Sequence, residues 1–169
     1  MKWILIILAA VVIVGLAISL VGTLLPREHK VTRATHFKCP PSLLYAVVHD
    51  FAAYPAWNSN AQTVEMLAPT NGRAAYRVIS RHGAVTYVVT DDLPAEKLVL
   101  KIADENLPYG GSWNYAFTSD RSGTRLEITE QGFIKKPVFR FFARFVFGYT
   151  RSIETCFRDL KRKLGETPD

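Results

Sequence analysis

The chain has 169 residues and a net charge of +6, with 49% hydrophobic and 21% charged residues. That composition excludes a disordered, collagenous or disulfide-built protein and fits one globular domain with a short excess. No helix-turn-helix, zinc-ligand spacing or aromatic RNA-binding motif accompanies the positive charge, so no nucleic-acid partner is expected.

The excess lies at the front. Trp3 to Leu25 is a run of 23 residues without a charge, and at about 1.5 Å per helical residue it crosses the roughly 30 Å hydrocarbon core of a bilayer. Pro26 stops it. A cleaved signal peptide is the competing reading, with Lys2 as its charged start and "AIS" at 17–19 as its cleavage site. The run outlasts the usual apolar region of about 7–15 residues and continues past that triplet, which favours a retained anchor. Residues 1–26 therefore read as a single-pass transmembrane anchor and 27–169 as the domain it carries. Charge sets the orientation only weakly, with Lys2 on one side and Arg27, Lys30 and Arg33 on the other. A domain of this size needs no staple between Cys39 and Cys156, which favours free cysteines and a cytoplasmic domain.

After the anchor, "VTRATHF" (31–37) alternates and reads as a strand. "CPP" breaks it. Pro41 suits the first turn of a helix over 41–50, with Leu44, Val47 and Val48 on one face. "FAAYPAWN" (51–58) follows as a second short turn. The period then changes to two. Segments 62–68, 73–81, 84–92, 97–103, 111–118 and 124–133 are strand candidates separated by turn clusters, which predicts an antiparallel meander. "RHGA" at 81–84 is a tight hairpin. "GG" at 110–111 before Ser112 reads as a bulge, or as backbone brought close to a ligand.

Side chains alternate along a strand, so parity selects one buried face. Tyr76, Val78, Tyr87, Val89, Leu98, Leu100, Ile102, Trp113, Tyr115, Phe117, Leu126 and Ile128 fall on it. Segment 137–164 covers that face as one long amphipathic helix. Val138, Phe142, Phe145, Tyr149, Ile153, Cys156, Leu160 and Leu164 form its apolar arc, and Gly148 is the point where it can kink. Arg140, Arg144, Arg151, Arg158 and Arg162 line the far side, with Phe147 projecting among them. Arginines interleaved with an exposed phenylalanine suit an anionic membrane surface, so Arg140, Arg144, Phe147, Arg151 and Arg158 are the expected membrane-surface residues. A protein partner would fit the same stripe.

This order of strand, short helices, meander and closing helix, with "CPPSLLYAVVHDFAAYPAWN" at its front, resembles the START / polyketide cyclase / birch-pollen-allergen superfamily over about 31–164. The fold class that the resemblance implies is α+β: a helix-grip fold, a curved antiparallel sheet wrapped around a long C-terminal helix, here preceded by the transmembrane helix. Ser59 stands where the family often has a proline. The resemblance implies an apolar cavity between sheet and helix that holds a lipid, quinone, polyketide-like or similar hydrophobic molecule. Tyr54, Trp57, Tyr76, Tyr87, Trp113, Tyr115, Phe142 and Tyr149 are its expected lining. Tyr54 and Trp57 would cap one end, and loops 51–60 and 105–111 would open as gates.

Chemistry has thinner support. Glu130 and Asp91 continue the inward parity of their strands, and a carboxylate facing an apolar cavity is a candidate general acid or base. His29, His36, His49 and His82 show neither metal-ligand nor triad spacing, so no metal and no cofactor are expected. The expected role is membrane-tethered binding or transport of a hydrophobic ligand, and the residues lean away from catalysis without deciding it. A polyketide cyclase/dehydratase-type enzyme using a buried carboxylate is one alternative, and a non-enzymatic protein-interaction or assembly module with a filled cavity is the other.

Overall fold

A computed structural model describes residues 2–167. Helix α1 (Lys2–Leu24) leads through residues 25–27 into strand β1 (Glu28–Phe37). Helix α2 (Pro41–His49) and a single 3₁₀ turn (Tyr54–Ala56) follow, and then the meander: β2 (Thr63–Thr70), β3 (Arg73–Ser80), β4 (Gly83–Leu93), β5 (Lys97–Ile102), β6 (Tyr109–Asp120) and β7 (Gly123–Ile134). The sheet is wholly antiparallel in the order β1-β7-β6-β5-β4-β3-β2, so the first strand closes onto the last. Short links force consecutive strands to pair, and the inward residues meet across them: Tyr76 opposite Tyr87, Leu100 opposite Trp113, Tyr115 opposite Ile128.

That face packs on the C-terminal segment. Phe37, Leu44, Leu98, Leu126, Ile128, Ile153 and Leu160 are fully enclosed in one core with Tyr76, Tyr115 and Phe157. This is the helix-grip arrangement. Both cysteines are free and buried in it.

The grip helix is not continuous, which corrects the expectation of one helix over 137–164. It divides into α3 (Pro137–Phe142), a π-helical turn (Ala143–Phe147) and α4 (Arg151–Lys163). Gly148 separates the last two at φ 72° and ψ 156°, a backbone conformation essentially reserved for glycine. Phe145, placed by helical periodicity in the apolar arc, is 59% exposed, and Val138 is also turned out. The arginine stripe is broken for the same reason. Arg140 is only 5% exposed, and its Nη1 donates to the Leu25 carbonyl at 2.8 Å. It is a clamp between α3 and the end of α1. Arg144, Arg151 and Arg158 remain exposed.

A second correction concerns β4. Its pairing with β5 slips between Val89 and Asp91, so Asp92 rather than Asp91 stands opposite the inward Leu98. Asp92 accepts from Tyr45 Oη and from His49 Nε2 at 3.1 Å, both on α2. Asp91 points the other way, to Lys97 Nζ at 2.6 Å, and that ammonium's hydrogen bond holds its carboxyl below the usual range.

Candidate functional site

Four strands reach one rim of the sheet together: β1 and β6 begin there, while β5 and β7 end there. Beneath the break in the grip helix this rim encloses a cavity of about 780 Å³. Tyr87, Ile102 and Trp113 form its sheet side, and Phe142, Ala143 and Tyr149 its helix side. Tyr109, Phe133, Phe139 and Phe147 also line it and are exposed, so they mark its mouth. The volume falls within the range of about 300–1,000 Å³ usual for small-molecule sites, and the wall is mostly apolar, with aromatic rings on both its sheet side and its helix side.

A smaller recess of about 180 Å³ shares Tyr87, Trp113 and Ser152 with the main cavity. Tyr54 and Cys156 are among its other lining residues. Behind Tyr54 the "FAAYPAWN" segment is a plug. Trp57 meets Tyr54 edge-on with ring centroids 4.7 Å apart, and Phe51 stacks on Tyr76 at 4.3 Å. Trp57, Tyr76 and Tyr115 are buried in the core and touch neither space, unlike the lining expected for them. Tyr87, Trp113, Phe142 and Tyr149 line the main cavity, and Tyr54 lines the recess.

The plug is fastened, so loop 51–60 is not built as a gate. Ser59 donates its backbone N–H (2.8 Å) and its hydroxyl (2.6 Å) to Asp159 Oδ2 on α4. A proline at 59 could not make the first of these bonds. Loop 105–111 does reach the mouth through Pro108 to Gly111. It is tied at its start and its middle: Lys135 donates its Nζ to the Glu105 carbonyl and its N–H to the Pro108 carbonyl at 2.8 Å. The "GG" pair forms no bulge with β7, since the register runs unbroken from Tyr109 to Asp120. A Cβ on Gly110 would lie 2.6 Å from the Phe133 ring, so glycine is what lets that ring lie across β6.

One wall is polar. Glu130 lines the cavity as parity predicts, and His29 Nε2 lies 3.3 Å from its Oε1. Ser152 Oγ donates to Glu130 Oε2 at 3.2 Å, and the His29 ring stacks on Tyr149 at 4.2 Å. The side chains of His29 and Glu130 are 12% and 20% exposed. His29 and Ser152 were not legible as site residues. β1 begins at Glu28 instead of 31, which pairs His29 with Gly132, the residue two beyond Glu130 on the same face. A Cβ at Gly132 would sit 2.6 Å from the imidazole. The bare glycine in "EQGF" was the available signal. Nearby, burial pushes the Tyr87 phenol up to about 12, with the charges of Tyr109, Glu130 and Asp104 adding to it. It is a neutral hydroxyl at physiological pH, able to donate to a ligand or accept from one.

The comparisons agree with this architecture. The Zhui aromatase/cyclase from a Streptomyces species superposes with a TM-score of 0.67 at 14% identity, over 82% of this chain and 94% of that one. A START superfamily protein from Mycobacterium smegmatis gives 0.61 at 16% identity, over 81% of this chain and 97% of that one. The di-domain aromatase/cyclase StfQ of the steffimycin biosynthetic pathway gives 0.62 at 13%, and the chain spans 82% of itself but about half of that protein, 52%. At such identities the likeness is one of fold. No curated protein matches the sequence. The profile of polyketide cyclase / dehydrase and lipid transport proteins matches residues 28–165, from the first residue of β1 to just past α4, and the chain belongs to that family.

Proposed function

We propose that the domain binds a hydrophobic molecule with one polar end, drawn from a bilayer in which α1 is anchored. The observation that carries this reading is the cavity of about 780 Å³, apolar on most of its wall and polar at His29, Glu130 and Ser152. An apolar body gains from leaving water, and a few fixed polar groups orient it. Lipids, quinones and polyketide-like amphiphiles share that build. α1 is long and apolar enough to span, and its side chains are exposed except near its end. That end is built into the domain, with Gly22 buried against Pro137. A cavity this open argues against an interaction module that fills its own interior.

The test is native mass spectrometry with lipid extraction on the full chain in mild detergent. A co-purifying apolar molecule is expected, reduced in Trp113→Ala and in Ala143→Phe, which narrows the cavity from its helix side. A folded protein that carries nothing and takes up no lipid, sterol or quinone probe would overturn the reading.

The His29–Glu130 pair supports a second reading. An imidazole and a carboxylate in contact at the polar wall of an apolar cavity are the parts needed to move a proton next to a carbonyl, as a cyclase or dehydratase requires. Glu130→Gln separates the two. It leaves a binding protein able to take up its ligand, and it abolishes turnover in an enzyme.

A further inference from the structure

We infer that the turn Phe139–Phe147 lies in the boundary between headgroups and acyl chains of the bilayer that α1 spans, so that the cavity opens sideways into one leaflet. This rests on the anchoring proposed above and adds the surface that meets the membrane.

The first support is the join between anchor and domain. Gly22 abuts the Pro137 carbonyl so closely that no side chain would fit between them. Arg140 is enclosed and bonds the Leu25 carbonyl at 2.8 Å. Ile134 N–H donates to the Arg27 carbonyl at 2.8 Å. The link between α1 and β1 is thus held at both ends, by α3 and by β7. Whatever plane α1 exits, the start of α3 lies in it.

The second is what the turn presents. Phe139, Phe145, Val146 and Phe147 are 46%, 59%, 60% and 58% exposed. Folded soluble domains seldom leave so many large apolar groups together in water. The π-turn and Gly148 are the cause: a straight helix would carry Phe145 into the core arc, and the break turns it outward. The charge within this segment of the chain has one sign. From Lys135 to Ile153 the sequence contains no acidic residue, while Lys135, Lys136, Arg144 and Arg151 are exposed. Apolar tips with cationic shoulders are what an anionic lipid surface takes up.

The third is coincidence of place. Phe139 and Phe147 belong both to the exposed patch and to the cavity mouth. A surface that buries them in lipid therefore buries the mouth as well. A soluble partner or a second copy could cover such a patch, but the continuity with an apolar helix of membrane-spanning length selects the bilayer.

The experiment uses the full chain in vesicles of phosphatidylcholine and phosphatidylglycerol at about 3:1, with an environment-sensitive NBD label on Val146→Cys. Cys39 and Cys156 are buried and leave the label its site. Arg121→Cys, in the exposed β6–β7 turn, is the control. The label at 146 is expected to be quenched by lipids carrying a nitroxide high on the acyl chain and shielded from aqueous iodide, and the label at 121 to show the reverse. Iodide access at 146 equal to that at 121 overturns the proposal. So does shielding from both quenchers, which would mean that protein covers the turn. A second measurement follows transfer of a pyrene-labelled fatty acid from the same vesicles. Phe145→Glu with Val146→Glu should slow it about tenfold or more while leaving uptake in detergent unchanged, and an unchanged transfer rate overturns the portal. If the unsubstituted chain takes up no probe in detergent, the binding proposal fails, and the depth of residue 146 is still decided by quenching.

Discussion

Ser59 gives both of its hydrogens to a single oxygen of Asp159, a carboxylate 1% exposed on α4 and 100 residues away in sequence. The same carboxylate has its other oxygen 3.5 Å from Arg162. This pair fixes the aromatic plug to the grip helix, so it sets the boundary of the recess beside the cavity.

Asp159→Ala is expected to destabilise the fold by about 3 kcal/mol, because hydrogen bonds to a buried charged group contribute about 1.5–3 kcal/mol each and the Ser59 N–H is left unpaired. At this chain length that is a fall in melting temperature of about 6–12 °C. Ser59→Ala keeps the backbone bond and should lose about half as much. A calorimetric shift under 2 °C for Asp159→Ala, about 0.5–1 kcal/mol at this length, would show that the plug does not depend on the pair.

Gly132→Ala tests how His29 is held. The new methyl would stand 2.6 Å from the imidazole, and the ring can swing away more easily than backbone can move. The variant should fold with a small loss of stability but with His29 separated from Glu130. Imidazole nitrogen shifts in NMR would report this directly. A spectrum unchanged at His29, with native affinity for a bound amphiphile, would mean that the wall does not need the glycine.

The two cysteines should be silent in the native protein. Burial, followed by the charge of Asp159, pushes the Cys156 thiol up to about 12, and burial with Glu166 raises Cys39. Thiolate, the reactive form, is scarce for both near pH 8. Ellman's reagent should register neither thiol until denaturant is added, and then both. Prompt reaction at Cys156 in the folded chain would mean that the recess it lines opens to solvent.

Acid should unfasten the β6–β7 turn. Asp120 accepts the Ser122 N–H at 2.8 Å, His36 at 3.1 Å and the Ser122 hydroxyl at 2.9 Å, and these bonds hold its carboxyl at about 2. A carboxylate with a depressed native pKa stabilises the fold at pH above its unfolded value, near 3.9, and loses that contribution as pH falls towards 2. Asp120→Asn should therefore flatten the loss of stability between about pH 4 and pH 2. Identical acid limbs for the two proteins would remove Asp120 from the account.

Most of the sheet was legible because one face of an antiparallel meander is buried along its length, and alternation records that burial residue by residue. Tyr76, Leu98, Tyr115 and Leu126 stand where parity puts them. Parity fails at one inserted residue, and the bulge after Val89 is such an insertion, so it misplaced Asp91. The same logic found Glu130, where β7 runs without interruption, yet missed His29, whose strand begins three residues earlier than its β-branched run suggests. Helical periodicity misled over 137–147. It assumes one partner surface, and this segment answers to two, the sheet on one side and the end of α1 on the other. Arg140 shows this most plainly: a cation on a helix normally reads as solvated, and here the carbonyl of Leu25, just past the end of α1, receives it.

The join at Gly22, Leu25 and Arg140 also limits how far the domain can travel. Proteins that ferry cargo across an aqueous gap need slack in the tether, and reach grows with the length of a loose linker. Three residues separate α1 from β1, a span of about 10 Å even when fully extended, and hydrogen bonds already fix two of their carbonyls. With α1 in a bilayer, the domain is a bracket and not a leash. It can sample the leaflet at its foot, and whatever it holds must be collected there, by diffusion along that leaflet or by a partner that comes to it.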